Sequence, residues 1–142
     1  MFHDDLSLWN TVPGVANSAG NLALHVAGNL RHFIGAVLGG DGYVRDRTAE
    51  FGRRSGTRDE VVSEIQRTAE IVRKTLGEFP NGRLSEDFPE LIMGTRIRTG
   101  LFLLHLCAHA GFHLGQAGYL RRMVTGESAS SGPLPLKPLM GG

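Results

Sequence analysis

The last third of the chain keeps one helical period without a break. Leu101, Leu104, Ala108 and Phe112 recur at three- and four-residue steps, and Tyr119, Leu120 and Met123 carry the pattern on, between a Thr99 N-cap and a stop at Gly126. At 1.5 Å per residue such a helix is roughly 38 Å long, about the diameter of a small domain. A rod of that length with an apolar stripe needs other helices to pack against, and two further segments supply them. Leu22, Val26, Leu30, Phe33 and Val37 form the stripe of a first helix, capped by Asn17 or Ser18 and ended near Leu38 by Gly39-Gly40. Thr57 and Glu60 make a capping box ahead of Val61, Ile65, Ala69, Val72 and Leu76, a second helix that ends at Gly77 and carries Glu64, Arg67, Glu70 and Lys74 on its outer face.

The segments between are turn-rich. Residues 1–17 read as an irregular arm packed by Leu8, Trp9 and Val12, and residues 41–56, glycine-punctuated and charged, as a solvated loop despite Arg45, Arg47, Arg53 and Arg54. Residues 78–98, with Pro80, Asn81-Gly82, Pro89 and Gly94, make a long connection with a short extended piece around Leu91 to Arg98. With no strand pair and no repeat, the sequence predicts one all-α domain over residues 1–126, followed by an extended Pro/Gly-rich tail over 127–142.

Composition narrows the class. A chain of 142 residues, 41% apolar and 20% charged, is the size and balance of a single globular domain. Fifteen Lys+Arg against fourteen Asp+Glu leave no general positive field for nucleic acid or anionic lipid. Apolar runs such as Leu101-Phe102-Leu103-Leu104 fall far short of the ~20 residues of a bilayer span. The start, Met1-Phe2-His3-Asp4-Asp5, lacks a signal peptide's pattern, and Cys107 has no cysteine to pair with; a cytoplasmic protein is the expectation.

Six histidines carry the functional reading. His105, His109 and His113 are four residues apart, so they form one slowly drifting stripe on the last helix. His25 and His32, two turns apart, form a similar stripe on the first. Nitrogens about 2.0–2.1 Å from one ion cannot be far from each other. Only His105/His109 or His109/His113 can therefore chelate together, joined by one of His25 and His32. Spacing predicts a three-histidine site and leaves its membership open. Three neutral nitrogens leave room for water or substrate, as in catalytic sites. Cys107, ~200° around the helix from His109, is expected in the core. Gln116, one turn beyond His113, is placed to orient an incoming group or a ligand imidazole, and Asn29, one turn beyond His25, likewise. His32 and His105 are candidates for proton transfer at the edge of the site.

The segment Asn17-Ser18-Ala19-Gly20-Asn21-Leu22-Ala23-Leu24-His25-Val26-Ala27-Gly28-Asn29-Leu30, taken with His105-Leu106-Cys107-Ala108-His109-Ala110-Gly111-Phe112-His113-Leu114-Gly115-Gln116, resembles the DinB superfamily of metal-binding four-helix bundles over most of residues 8–126. The resemblance implies a DinB-like up-down bundle whose first helix is shortened or missing here. It implies His25, His109 and His113 as ligands of a divalent ion, zinc or nickel, and a homodimer. It also implies activities such as thiol S-transfer with low-molecular-weight thiols, bacillithiol and mycothiol among them, and no DNA binding. The functional expectation is a metal-dependent thiol S-transferase or hydrolase acting on a small molecule. The rival is a non-enzymatic, metal-stabilised dimeric bundle or ligand-binding protein.

Overall fold

The computed structural model describes residues 4–130, and these are all-α: helices α1 (Asp5–Trp9), α2 (Ala19–Leu30), α3 (Arg47–Gly52), α4 (Arg58–Glu78) and α5 (Thr99–Thr125). No strand occurs among them; the extended piece near residue 91 is a two-residue hairpin turn in which Ile92 and Thr95 exchange both backbone hydrogen bonds around Met93 (φ 50°) and Gly94 (φ 78°). His3 and residues 131–142 of the tail lie outside the described residues.

The expected caps set the long helices. Ser18 Oγ accepts from Asn21 N while Asn21 Oδ1 accepts from Ser18 N, and Thr57 with Glu60 repeats the device on α4. Gly126 (φ 74°) ends α5. Thr99, however, is the first helical residue rather than the cap; it is 2% exposed and Arg98 takes the cap position. From Arg31 to Leu38, α2 continues as a π-helix, so His25 and Asn29 stand on regular α geometry and His32 on the widened turns.

Two segments expected to be irregular are helical. Asp4 caps α1 by accepting from Ser7 N, and Leu8 and Trp9 bury themselves against Ala19 and Val61. The Trp9 indole donates to Gly56 O at 2.7 Å, and its ring fills the space above Gly20, where a Cβ would lie 2.8 Å from it. The short α1 thus closes one end of the bundle. Asp46 caps α3 through Ala49 N. Asn21, fully buried at the start of α2, donates from Nδ2 to Glu50 O (2.9 Å) and Arg53 O (2.8 Å), which docks α3 on α2.

The second apolar cluster, Ile34, Phe88, Phe102 and Leu106, lies at the other end, with Phe33 edge-on to Phe102 at 4.9 Å. His25 on α2 and His109 and His113 on α5 fall in sequence between the residues of the two clusters. That is the level of the candidate site.

The buried faces of α4 and α5 are not the ones the periodicity pointed to. On α4, Val61 and Thr68 are buried, whereas Ile65 and Leu76 are exposed, and Glu64 accepts from Arg31 Nη1 at 2.7 Å instead of standing on an outer face. On α5 the buried side is Phe102, Leu106, Leu120 and Arg121, while Leu101, Leu104, Phe112, Tyr119 and Met123 are all about three-fifths exposed. Cys107 is exposed too, not in the core. The reason is composition: α5 has no Asp, Glu, Lys or Arg from Thr99 to Leu120, so apolar residues lie all round it and its stripe does not mark its inner face. No helix among the described residues is long and apolar enough to cross a membrane.

Candidate metal centre

His25, buried on α2, and His109 and His113 on α5 converge. His25 Nε2 is 3.2 Å from His109 Nε2, which is 3.1 Å from His113 Nε2, and the three atoms lie within 4.8 Å of one another. Three nitrogens at 2.0–2.1 Å from one ion at tetrahedral angles stand about 3.3–3.4 Å apart. The two sides that meet at His109, 3.2 and 3.1 Å, have that scale.

The other ring nitrogens show which way each imidazole is turned. His25 Nδ1 lies 3.1 Å from Glu50 Oε2, to which its N–H donates in one tautomer, and 3.1 Å from Arg45 Nη2, a donor already engaged with Glu50 Oε2 at 2.8 Å; His113 Nδ1 lies 2.7 Å from Gln116 Oε1, to which it donates. With the protons on Nδ1, an assignment taken from these partners, both rings present a bare Nε2 to the centre. Both lone pairs converge on His109 Nε2, where they are satisfied by the His109 Nε2–H or, with that proton absent, by a cation among the three nitrogens. The residues therefore fit a divalent ion, with the ring-orienting hydrogen bonds that metal-bound histidines use.

Glu50 is the most constrained part of this frame. Its side chain is 6% exposed, and Arg45 grips it with Nε on Oε1 at 2.7 Å and Nη2 on Oε2 at 2.8 Å. The buried charge is thereby paired and hydrogen-bonded on both oxygens. Gly28, on the turn of α2 after His25, makes room for it: a Cβ there would stand 2.0 Å from Glu50 Oε1. Phe51, next on α3, packs its ring 4.7 Å from that of His25 and carries Arg47 on its other contact, 5.1 Å from the ring centre.

Burial and the neighbouring charges favour the neutral forms of His25 and His109. Desolvation, then the charges that His113, His25 and His105 would carry, push the His109 pKa down to about 4. For His25 desolvation also lowers the value, against the raising effect of the Glu50 hydrogen bond. Neutral imidazoles are what an ion requires.

Of the other candidates, Gln116 lies at the centre's edge on His113. His105 is exposed, its ring stacked between those of Phe102 (5.9 Å) and His109 (6.1 Å). His32 lies apart, with Nε2 3.3 Å from Glu90 Oε2. Arg45 and Glu50, read from sequence as loop residues, are the residues beside His25 that spacing missed. They sit five apart, off any helical repeat, and nothing in the sequence ties them to His25.

Residues 3–135 match the family described as "Protein of unknown function (DUF1572)". The chain belongs to the DUF1572 family. No curated protein and no solved structure matches the chain. The DUF1572 match spans α1 to α5, so the three histidines, Glu50 and Gln116 all lie inside it.

Proposed function

We propose that this DUF1572 protein is a DinB-like, divalent-metal-dependent enzyme, a thiol S-transferase or hydrolase acting on a small molecule, with zinc or nickel on His25, His109 and His113. The observation that carries it is the meeting of three Nε2 atoms from two helices, with two of the rings turned by partners on Nδ1. Bound there, a divalent ion supplies Lewis acidity and lowers the pKa of a thiol or water toward neutrality.

The chain's own groups do the rest. The Arg45–Glu50 pair and Gln116 fix the two flanking imidazoles, so neither of these rings has to reorient as charge develops. Phe51 packs beside the His25 ring and limits water on that side, while Phe112, largely exposed, lies beside His113. His105, exposed beside His109, is placed to accept or deliver a proton at the rim; His32, held by Glu90, is the more distant candidate. The partner is a small molecule, a low-molecular-weight thiol first, in a cytoplasmic protein that binds neither nucleic acid nor membrane.

A homodimer belongs to the same reading, and the outer face of α5 supports it. Five large side chains about three-fifths exposed, at some 200 Å² each, present on the order of 600 Å², close to one partner's share of a standard interface. Ala108, Gly111 and Gly115 lie among them, so two such faces can approach closely across a two-fold axis.

Metal analysis of the purified protein tests the core of the proposal. One ion per chain is expected, followed by thiol-dependent conjugation or hydrolysis that a chelator abolishes. Stoichiometric metal retained by a His109→Ala/His113→Ala double variant overturns the site. Tightly held metal with no exchangeable position and no turnover leaves the non-enzymatic bundle instead.

A further inference from the structure

Two of the three ring-orienting partners are visible at the metal centre. The third is His109, whose Nδ1 is buried and meets no acceptor. Among the described residues only two other buried side-chain polar atoms stand unpartnered, Arg31 Nε and Asn29 Oδ1. Arg31 Nε is a donor and cannot serve. Asn29 Oδ1 is an acceptor on a side chain 8% exposed, and His109 Nδ1 needs an acceptor whenever its Nε2 lone pair is turned to an ion.

The helices bring the two to one level. α2 and α5 run antiparallel: His25 meets His109 and His113, and eight residues on, Phe33 meets Phe102. Asn29 lies midway in sequence between His25 and Phe33, one α-turn (about 40° round the helix) from His25 and about one turn before Phe33 on the widened turns, so all three share a side of the helix. It therefore faces the turn of α5 from about 105 to 109. Side chains on a helix lean toward its N-terminus, which carries the His109 ring back to that level. The polar side chains on that turn are His105, which is exposed, and His109.

We propose that Asn29 is the positioning residue of His109: its Oδ1 accepts the Nδ1–H, directly after a small side-chain rotation or through one bridging water. The inference rests on the metal reading above and adds the member that completes it. Each of the three imidazoles then has its own acceptor from a different place: Glu50 on α3 for His25, Gln116 on α5 for His113, Asn29 on α2 for His109. Asn29 is one turn from His25 on the same helix, so one stretch of α2 both supplies a ligand and aims another.

The test compares Asn29→Leu, which removes the acceptor at similar volume, with Asn29→Asp, which keeps one. Zinc affinity is read by competition against a chromophoric chelator, and the tautomer of each histidine by long-range proton–nitrogen NMR. Loss of such an outer partner typically costs 10–100-fold in metal affinity, and that drop is expected for Asn29→Leu, with Asn29→Asp near wild type. In the spectra the His109 Nδ1–H resonance should change in Asn29→Leu while those of His25 and His113 stay. Wild-type affinity together with an unchanged His109 signal in Asn29→Leu overturns the proposal. Should Asn29→Leu not fold, the zinc-loaded wild-type spectrum decides alone: a slowly exchanging His109 Nδ1–H supports the bond, and a rapidly exchanging Nδ1–H or an Nε2–H tautomer refutes it. A wild-type protein that takes up no zinc sinks the metal reading on which the bond depends, whereas zinc uptake with a His109 signal that ignores Asn29→Leu sinks the Asn29 assignment alone.

Discussion

Adding one methyl group at Gly28 should disable the frame around His25 without touching a ligand. A Cβ at that position would stand 2.0 Å from Glu50 Oε1, and real Cβ contacts essentially never fall below 3.0 Å, so the carboxylate must retreat by about 1 Å. A free Glu would do so easily. This one is held by Arg45 on both oxygens and by His25 at 3.1 Å, so the shift stretches at least one bond past hydrogen-bonding range. Breaking a buried, paired charge costs roughly 3–5 kcal/mol, offset by the 0.5–1 kcal/mol that Ala gains over Gly in a helix. The net expectation for Gly28→Ala is a loss of about 2–4 kcal/mol, on the order of 10 °C in Tm. Metal affinity should fall by about 10–100-fold, because His25 is left without its orienting carboxylate. Thermal unfolding by circular dichroism and zinc competition read the two effects separately. Gly77→Ala on α4, where a Cβ meets nothing within 4 Å, is the control and should be neutral or slightly stabilising. If Gly28→Ala melts with the wild type and binds zinc equally well, Glu50 does not hold His25 in the way described.

Single substitutions should sort the histidines: His25→Ala, His109→Ala and His113→Ala lose stoichiometric metal by elemental analysis, while His32→Ala and His105→Ala keep it and alter at most the rate or its pH dependence. The metal-free protein should lose stability as pH falls. His109 titrates near 4 when folded against its ordinary 6.5, so between those values the unfolded chain binds a proton that the folded one does not, and melting temperature should decline from pH 6.5 toward 4 and be level above it. A flat profile across that window would contradict the assignment. Sedimentation should give a dimer, and Leu104→Glu/Phe112→Glu a folded monomer; a wild-type monomer at micromolar concentration would remove α5 as a contact face.

Much of the fold was legible because it is written in local chemistry. Ser18 with Asn21, Thr57 with Glu60, and Gly126 mark helix ends through contacts within three or four residues, and the HxxxH pair declares its shared face by spacing. What failed to show was decided across the chain. The inner face of α5 is fixed by Phe33 and Phe88 meeting Phe102, and a helix apolar on all sides offers no local clue that Leu106 faces in and Leu104 out. α3 escaped for a related reason: six residues have little helical tendency of their own, and Asn21, some 30 positions earlier, supplies the hydrogen bonds that hold Glu50 and Arg53 in place. Glu50 reads as a loop carboxylate until His25 and Gly28 are seen beside it.

The brevity of α3 also sets a clock. His109 and His113 sit on a helix of 27 residues that keeps its shape whenever the bundle is folded, but the carboxylate that aims His25 rides on a six-residue turn. Such a segment opens locally far more often than the whole domain unfolds. Each opening would free the His25 ring to swing and leave an ion on two ligands. The lifetime of the bound metal would then be governed by the undocking of α3 from Asn21 and Arg45, with release to a chelator running at a rate independent of how much chelator is present. An ion could leave and be replaced within the lifetime of one folded molecule.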